Sequence, residues 1–96
     1  MTIEKSVVEH GGRRFTLLKP LELRMQRHDE QWVLEAQEPD VSGCADTVDE
    51  ALRELSVQFA CLWDEFGNED DARLGARARV LKQQIRGRVS RVEPLP

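Results

Sequence analysis

The stretch TVDEALRELSVQFACLWDEF, residues 47–66, decides the fold more than any other part of the chain. Thr47 followed by Glu50 forms a capping box, in which the threonine hydroxyl accepts the backbone N–H three residues on. Apolar residues then recur at intervals of four and three, which places them on one stripe of a helix. They are Val48, Leu52, Leu55, Phe59, Leu62 and Phe66. The pattern predicts a helix over 47–66 that ends at Gly67.

Upstream of this helix, apolar and polar side chains alternate on both sides of a polar turn at 28–31. A period of two on each side of a short turn predicts an antiparallel hairpin with one buried face. The apolar members of the two strands are Leu21, Leu23, Met25, Trp32, Leu34 and Ala36.

Weaker signals complete the N-terminal half. Residues 3–9 and 13–18 are strand candidates, and Gly11–Gly12 between them marks a turn. Pro20 cannot donate to a strand ladder, so it predicts a bend or an edge position. Residues 39–46 are rich in turn residues and predict a loop before the helix.

A second helix is predicted over 71–86 and ends at Gly87, with apolar residues again four and three apart. Residues 91–96 are expected to be a short mobile tail, and residues 1–90 a single domain. Strands first and helices after is typical of an α+β fold. We therefore predict a small antiparallel sheet of three to four strands, followed by two helices packed on one face.

The composition argues against several classes of function. The 96 residues contain no apolar run of membrane-spanning length and no signal-peptide core, so we expect a cytoplasmic protein that does not bind a membrane. The two cysteines and two histidines lack zinc-site spacing, and no Gly-rich phosphate loop or nucleophile–base arrangement is present. We expect no catalytic residue, no cofactor and no metal, and hence no enzyme.

Charge is strongly segregated along the chain. Residues 1–28 carry six basic and three acidic side chains, residues 29–71 one basic and fourteen acidic, and residues 72–96 seven basic and one acidic. Such an acidic middle segment can attract a basic partner, and the basic end an acidic one. Alternatively, the segments offset each other inside one fold or across a dimer.

The basic C-terminal segment suggests nucleic-acid binding as the alternative function. A row of cationic side chains can contact phosphates, although no aromatic residues lie between them to stack on bases. A solvated helix face is the simpler interpretation. The candidate phosphate contacts are Arg73, Arg77, Lys82, Arg86 and Arg88.

Two tryptophans stand out in a chain without tyrosine. Trp32 begins a predicted strand, and Trp63 lies on the apolar side of the first helix. Both are expected either to fill the core between sheet and helix or to anchor an interface, where tryptophan is enriched.

The segment 31–66 resembles the HicB-like antitoxin family of toxin–antitoxin systems. The matching features are a strand with an aromatic residue at 32–36, a Pro-Asp-x-x-Gly-Cys loop at 39–44, and an Asp-Thr-x-x-Glu-Ala helix start at 46–51. The resemblance implies a small sheet packed on a helix, related to a partial ribonuclease H-like core without its catalytic residues. It also implies binding and masking of a small basic RNA-cleaving toxin of the HicA type, often by a dimer or a larger oligomer.

We therefore predict a non-catalytic module that binds a small basic, toxin-like protein and forms a homodimer. The sheet edge near residues 21–38 and the acidic patch of the first helix would form the binding surface. The predicted contacts are Glu35, Glu38, Asp40, Asp49 and Glu54.

Overall fold

The computed structural model describes all 96 residues. Five strands and two α-helices form an α+β fold, which confirms the predicted class with one or two strands more than expected. The elements are β1 (Thr2–His10), β2 (Arg13–His28), β3 (Gln31–Ala36), β4 (Val41–Ala45), α1 (Val48–Leu62), α2 (Ala76–Arg88) and β5 (Val89–Pro94). Trp63–Gly67 continues α1 as a π-helical turn, and Asp71–Arg73 forms a 3-10 turn before α2.

All strand pairs are antiparallel, and the order across the sheet is β1-β2-β3-β4. The long strand β2 carries β1 on one edge. Its other edge is shared, because β3 pairs with residues 24–28 and β5 pairs with residues 13–17. The sheet face that carries α1 and α2 is apolar, and we call the opposite, polar face the open face.

Both predicted hairpin turns are present, for the same backbone reason. Gly11 and Gly12 have φ angles of 64° and 74°, and Asp29 and Glu30 have φ angles of 49° and 68°. Two successive residues in the left-handed region match the twist of the flanking strands, as in type I′ turns.

The predicted loop at 39–46 is wrong in part, because Val41–Ala45 forms strand β4 on the outer edge of β3. The turn-forming residues of this segment indicated a loop, although the segment is a strand in which Gly43 has a packing role. A Cβ on Gly43 would lie 2.0 Å from the carbonyl oxygen of Ala51, so α1 packs directly on the β4 backbone.

The predicted mobile tail at 91–96 is also corrected, since residues 89–94 form strand β5. Residues 13–17 of β2 have no other partner on that edge, and Val92 lies opposite the buried Phe15. Pro20 does not interrupt β2. The ladder with β1 shifts register between Lys5 and Val7, so Pro20 is not required to donate to it.

The helix termini show how well local signals define each helix. Thr47 caps α1 by accepting the N–H of Glu50 at 3.1 Å, which is half of the predicted capping box, whereas the Glu50 carboxylate does not accept the N–H of Thr47. The second helix begins at Ala76 rather than at residue 71, and its N-cap Gly75 offers no side-chain hydrogen bond. It also continues through Gly87, where its end was predicted, to Arg88, because strand β5 begins directly after it. The acidic residues Glu69, Asp70 and Asp71 lie before α2, where the Asp70 carboxylate caps the 3-10 turn by accepting the N–H of Ala72.

The core lies between the sheet and α1. Ala51, Leu55 and Phe59 of α1 are fully buried, and the Phe59 ring packs edge-on against Phe15 with centroids 5.6 Å apart. Each buried side chain of this size stabilises the fold by about 1.5–3 kcal/mol. In α2 only Ile85 is buried, so α2 is the less deeply packed helix. Neither helix combines the length and apolar character needed to cross a membrane.

Candidate protein-binding surface

The start of α1 presents three carboxylates to solvent. Asp46, Asp49 and Glu50 are exposed, and none of them forms an ion pair within the chain. The Thr47 cap fixes the backbone that carries them. Negative charge at a helix N-terminus is favoured by the helix dipole, so these residues also stabilise α1. We call Asp46, Asp49 and Glu50 the acidic first turn.

A groove of about 250 Å³ lies beside the acidic first turn, between β1 and α1. Its apolar lining comes from Val8 of β1, Leu21 of β2 and Leu55 of α1. Of the four charged residues in the lining, Glu9 pairs with Arg14, and the other three carry no ion pair within the chain. These unpaired charges are Lys5, Asp49 and Arg53.

The five residues predicted to contact a partner do not form one surface. Glu35 lies on the open face, because its neighbours in β3, Leu34 and Ala36, are buried on the helix side. Glu38 and Asp40 are exposed in the turn between β3 and β4. The two members on α1, Asp49 and Glu54, lie on different sides of the helix.

Glu54 has a role inside the fold. Its Oε2 accepts the N–H of Cys44 at 3.1 Å, and Oε1 of Gln58 accepts the N–H of Ser42 at 2.9 Å. These two side chains of α1 cap backbone donors along the outer edge of β4. A strand edge occupied in this way cannot pair freely with another chain.

The predicted binding edge near residues 21–38 lies mostly inside the sheet. Strand β3 lies between β2 and β4, and Arg24 is paired with both Thr2 of β1 and Glu35 of β3, so that only residues 26–28 of β2 lack a partner on the β1 side. The sequence did not predict that β3 is an inner strand, because the residues of β4 indicated a loop. The edge strands of the sheet are β1, β4 and β5, and residues 26–28 of β2 extend beyond the end of β1.

Both tryptophans are half-buried and pack against the core. Trp63 contacts Phe15 edge-on at a centroid distance of 5.8 Å, and the Arg86 guanidinium lies 5.7 Å from its ring centre. Trp32 is flanked by Arg27 at 5.4 Å. Each tryptophan therefore has partners within the chain, which favours the core interpretation over that of an interface anchor.

The basic residues of α2 hold neighbouring loops in place. Lys82 Nζ donates to the carbonyl of Glu69 at 2.6 Å and to the Asp71 carboxylate at 2.8 Å. Arg86 donates to the carbonyl of Gly67 at 2.7 Å, and Arg88 donates to the carbonyl of Glu38 at 2.8 Å.

Only two of the candidate phosphate contacts remain unengaged. Arg73 and Arg77 are exposed and make no side-chain hydrogen bond or ion pair within the chain. Arg79, which lies between them and Lys82, donates to the carbonyl of Asp71 at 3.0 Å. The structure therefore places most of the basic side chains of the α2 region in internal contacts.

Two ion pairs shift carboxylate pKa values. Hydrogen bonds from Arg13 lower the pKa of Asp64, with Coulomb attraction adding to them and desolvation opposing, and the same pair raises the pKa of Arg13. A hydrogen bond from Lys82 likewise lowers the pKa of Asp71. Of the fourteen acidic residues between 29 and 71, only Asp64 and Asp71 form ion pairs.

The potentially reactive side chains are dispersed. Cys44 and Cys61 are free and exposed, and the Cys44 thiol donates to Gln31 at 3.1 Å. His28 contacts Gln26, and His10 ends β1. No three histidine, cysteine, aspartate or glutamate side chains are grouped to hold a metal ion.

The partner contacts predicted from the sequence did not include Asp46, Glu50 or the free edge of β1. Asp46 precedes the capping box and Glu50 belongs to it, so their charge was available as a signal. The free edge has no comparable signal, because strand order depends on pairing between distant segments.

Comparison with known proteins found no matching family model, no matching curated protein and no matching solved structure.

Proposed function

We propose that the chain is a non-catalytic protein-interaction module that binds a small basic protein through the acidic first turn. One observation carries the proposal: the acidic residues of the middle segment are largely unpaired, whereas the basic residues of α2 are largely engaged. Only Asp64 and Asp71 form ion pairs among the acidic residues of 29–71. Carboxylates without internal partners attract an oppositely charged surface.

The apolar groove beside Asp49 adds contact area of a different kind. Interfaces commonly combine a well-packed apolar centre with a polar or charged rim. Here Val7 and Leu52, which are accessible, supply apolar contact area above the buried Val8 and Leu55. The charged rim consists of Lys5, Asp49 and Arg53. Charge attracts the partner to this face, and the groove receives an apolar side chain.

The resemblance to HicB-like antitoxins suggests the class of partner. On that basis we propose that the basic partner is an RNA-cleaving toxin and that binding neutralises it. The acidic first turn lies within the segment that carries the resemblance. Neutralisation is measured as RNA cleavage by the captured partner, with and without an equimolar amount of this chain.

Nucleic-acid binding through α2 is the alternative proposal. It depends on five cationic residues, of which Lys82, Arg86 and Arg88 already donate to groups within the chain. Releasing them would forfeit hydrogen bonds to charged donors worth about 1.5–3 kcal/mol each. The internal contacts therefore favour a basic protein partner over a nucleic acid.

The test compares capture by three versions of the tagged chain from its native cells at low salt. The variant Asp46→Asn, Asp49→Asn and Glu50→Gln removes the charge of the acidic first turn. A control variant removes as many charges elsewhere, as Asp29→Asn, Glu30→Gln and Glu65→Gln. Both sets are exposed, and thermal melting verifies that all three proteins are folded.

We expect a small basic protein to co-purify stoichiometrically with the wild type and the control, and to be lost from the first variant. Equal capture by all three proteins would show that the acidic first turn is not the binding surface. Absence of any basic partner would contradict the proposed function itself.

We also propose a cytoplasmic location, supported by the free thiols of Cys44 and Cys61. Cell fractionation tests it. The homodimer predicted from the sequence stays a prediction, and light scattering of the purified protein tests it.

A further inference from the structure

Strand β1 is the edge of the sheet whose outward backbone groups have no partner within the chain. It spans Thr2–His10 and pairs only with β2. No backbone or side-chain hydrogen bond from elsewhere in the chain reaches its backbone on the side away from β2. A row of unpaired N–H and C=O groups is a template for another strand.

The other two edge strands are obstructed. On β4, Gln58 and Glu54 already accept the N–H groups of Ser42 and Cys44. Strand β5 has six residues and includes Pro94, which has no N–H to donate. Strand β1 contains no proline and has no such caps.

The side chains of β1 define what an added strand must carry. On the open face, Glu4 lies opposite Glu22 in β2, and neither carboxylate forms an ion pair. Glu9 lies on the same face and pairs with Arg14 at 2.9 Å. On the helix side, Val8 lines the apolar groove. Cationic residues suit the open face, and apolar residues suit the groove.

We propose that β1 accepts an extended, basic segment of the partner as an additional antiparallel strand. The proposal rests on the basic partner proposed above and specifies how it binds. Basic side chains of the added strand lie near Glu4 and Glu9, and the alternate side chains face the groove beside Val8. Backbone hydrogen bonds supply affinity, and the alternating side chains supply specificity.

A second copy of this chain fits the edge less well. If the two-fold axis lies at the register shift, between Ser6 and Val7, Glu4 faces Glu9 of the other copy on the open face. Like charges directly opposite each other destabilise a strand pair. Lys5 is also half-buried on the helix side, and a second copy would bring a second inward-pointing cation into the same interface.

The test uses a short synthetic peptide that alternates lysine with valine, and a scrambled peptide of the same composition. Hydrogen exchange of the full chain is measured with each peptide and without either. We expect the alternating peptide to slow exchange of β1 amides, with no change at Ser42 and Cys44. The double variant Glu4→Gln and Glu9→Gln should bind it about tenfold more weakly, from two exposed charge pairs of up to about 1 kcal/mol each.

Several results would overturn strand addition. One is peptide binding that leaves β1 exchange unchanged, and another is equal protection by the scrambled peptide. If protection appears in the acidic first turn but not in β1, a basic partner binds there without adding a strand. If the protein alone dimerises and its β1 amides are protected, the edge belongs to a second copy.

Discussion

The two helices use their charged residues in opposite ways. In α1 the apolar stripe is buried against the sheet, and the carboxylates of the acidic first turn have no partner within the chain. In α2 only Ile85 is buried, and Lys82, Arg86 and Arg88 reach across to backbone carbonyls of neighbouring loops. Helix α1 is held by apolar packing and presents its carboxylates to solvent. Helix α2 is held mainly by hydrogen bonds from its cationic side chains.

This difference changes how the charge segregation of the sequence is interpreted. Seven basic residues after residue 71 suggest a cationic surface when counted along the chain. In the fold, several of these cations contact carbonyl oxygens and are not available to a ligand. Net charge along a sequence is therefore a poor guide to the charge that a surface presents.

The largest expected effect on stability comes from a comparison of two glycine-to-alanine substitutions, one in β4 where α1 packs against it and one in α2. Gly43→Ala places a Cβ against the Ala51 carbonyl and must displace α1, so we expect a loss of unfolding free energy of about 3 kcal/mol or more. Gly87→Ala in α2 meets no atom within 4 Å and should stabilise the protein by about 0.5 kcal/mol through helix propensity. Urea denaturation measures both. Similar effects at the two sites would contradict the tight contact between α1 and β4.

The next effect contrasts buried and exposed aliphatic side chains. Leu55→Ala in α1 should cost about 3 kcal/mol, because Leu55 is fully buried. Val80→Ala in α2 should cost less than about 0.5 kcal/mol, because 52% of Val80 is exposed. Thermal unfolding of the pair checks the difference. A large loss for the Val80 variant would show that α2 is buried by something beyond the chain.

A smaller effect tests the hydrogen bonds by which Lys82 of α2 holds the preceding loop, which we call its tether. Lys82→Met removes hydrogen bonds to Glu69 and Asp71 while keeping the aliphatic stem, so we expect a loss of about 1 kcal/mol. Hydrogen exchange should accelerate in residues 69–74. Arg77→Met is the matched control, since Arg77 has no internal partner, and it should leave exchange in this loop unchanged. Equal behaviour of the two variants would mean that Lys82 is not a tether.

The smallest effect depends on pH. The folded pKa of Asp64 is lowered by Arg13, so their pair stabilises the fold above a pH of about 4 and loses this contribution as the pH falls through the folded pKa. Because Asp64 is 56% exposed, solvent screening limits the contribution to about 0.5 kcal/mol. The stability difference between wild type and Asp64→Asn should therefore disappear in acid. A difference that grows at low pH would contradict the assignment.

Local signals predicted the elements that local physics controls. The capping box and the spacing from Val48 to Phe66 defined α1, and the alternation around Leu34 defined the central hairpin. Elements stabilised by distant pairing were missed. Strand β4 contains Gly43 because a helix backbone lies against it, and β5 is ordered by residues 13–17 of β2, more than seventy positions upstream.

The candidate site was predictable only as a region of charge. Asp49 was identified and lies beside the groove, but Glu54 caps β4 and Glu35 lies on the open face. Which carboxylates share a surface depends on helix rotation and strand order, and neither is encoded in the count of charges. The free edge of β1 emerges only when the complete sheet is assembled.

The most direct test of the account is a titration of two labelled probes, polylysine and a short RNA duplex, into the wild-type protein at about 50 mM salt. The carboxylates of the acidic first turn are free, whereas most cations of α2 are bonded within the chain. We therefore expect that polylysine binds and that the duplex does not. Neutralising Asp46, Asp49 and Glu50 should weaken polylysine binding. The contrary result is salt-dependent duplex binding that Arg73→Glu and Arg77→Glu abolish, with polylysine binding unaffected by the acidic first turn. That result would assign the functional surface to α2.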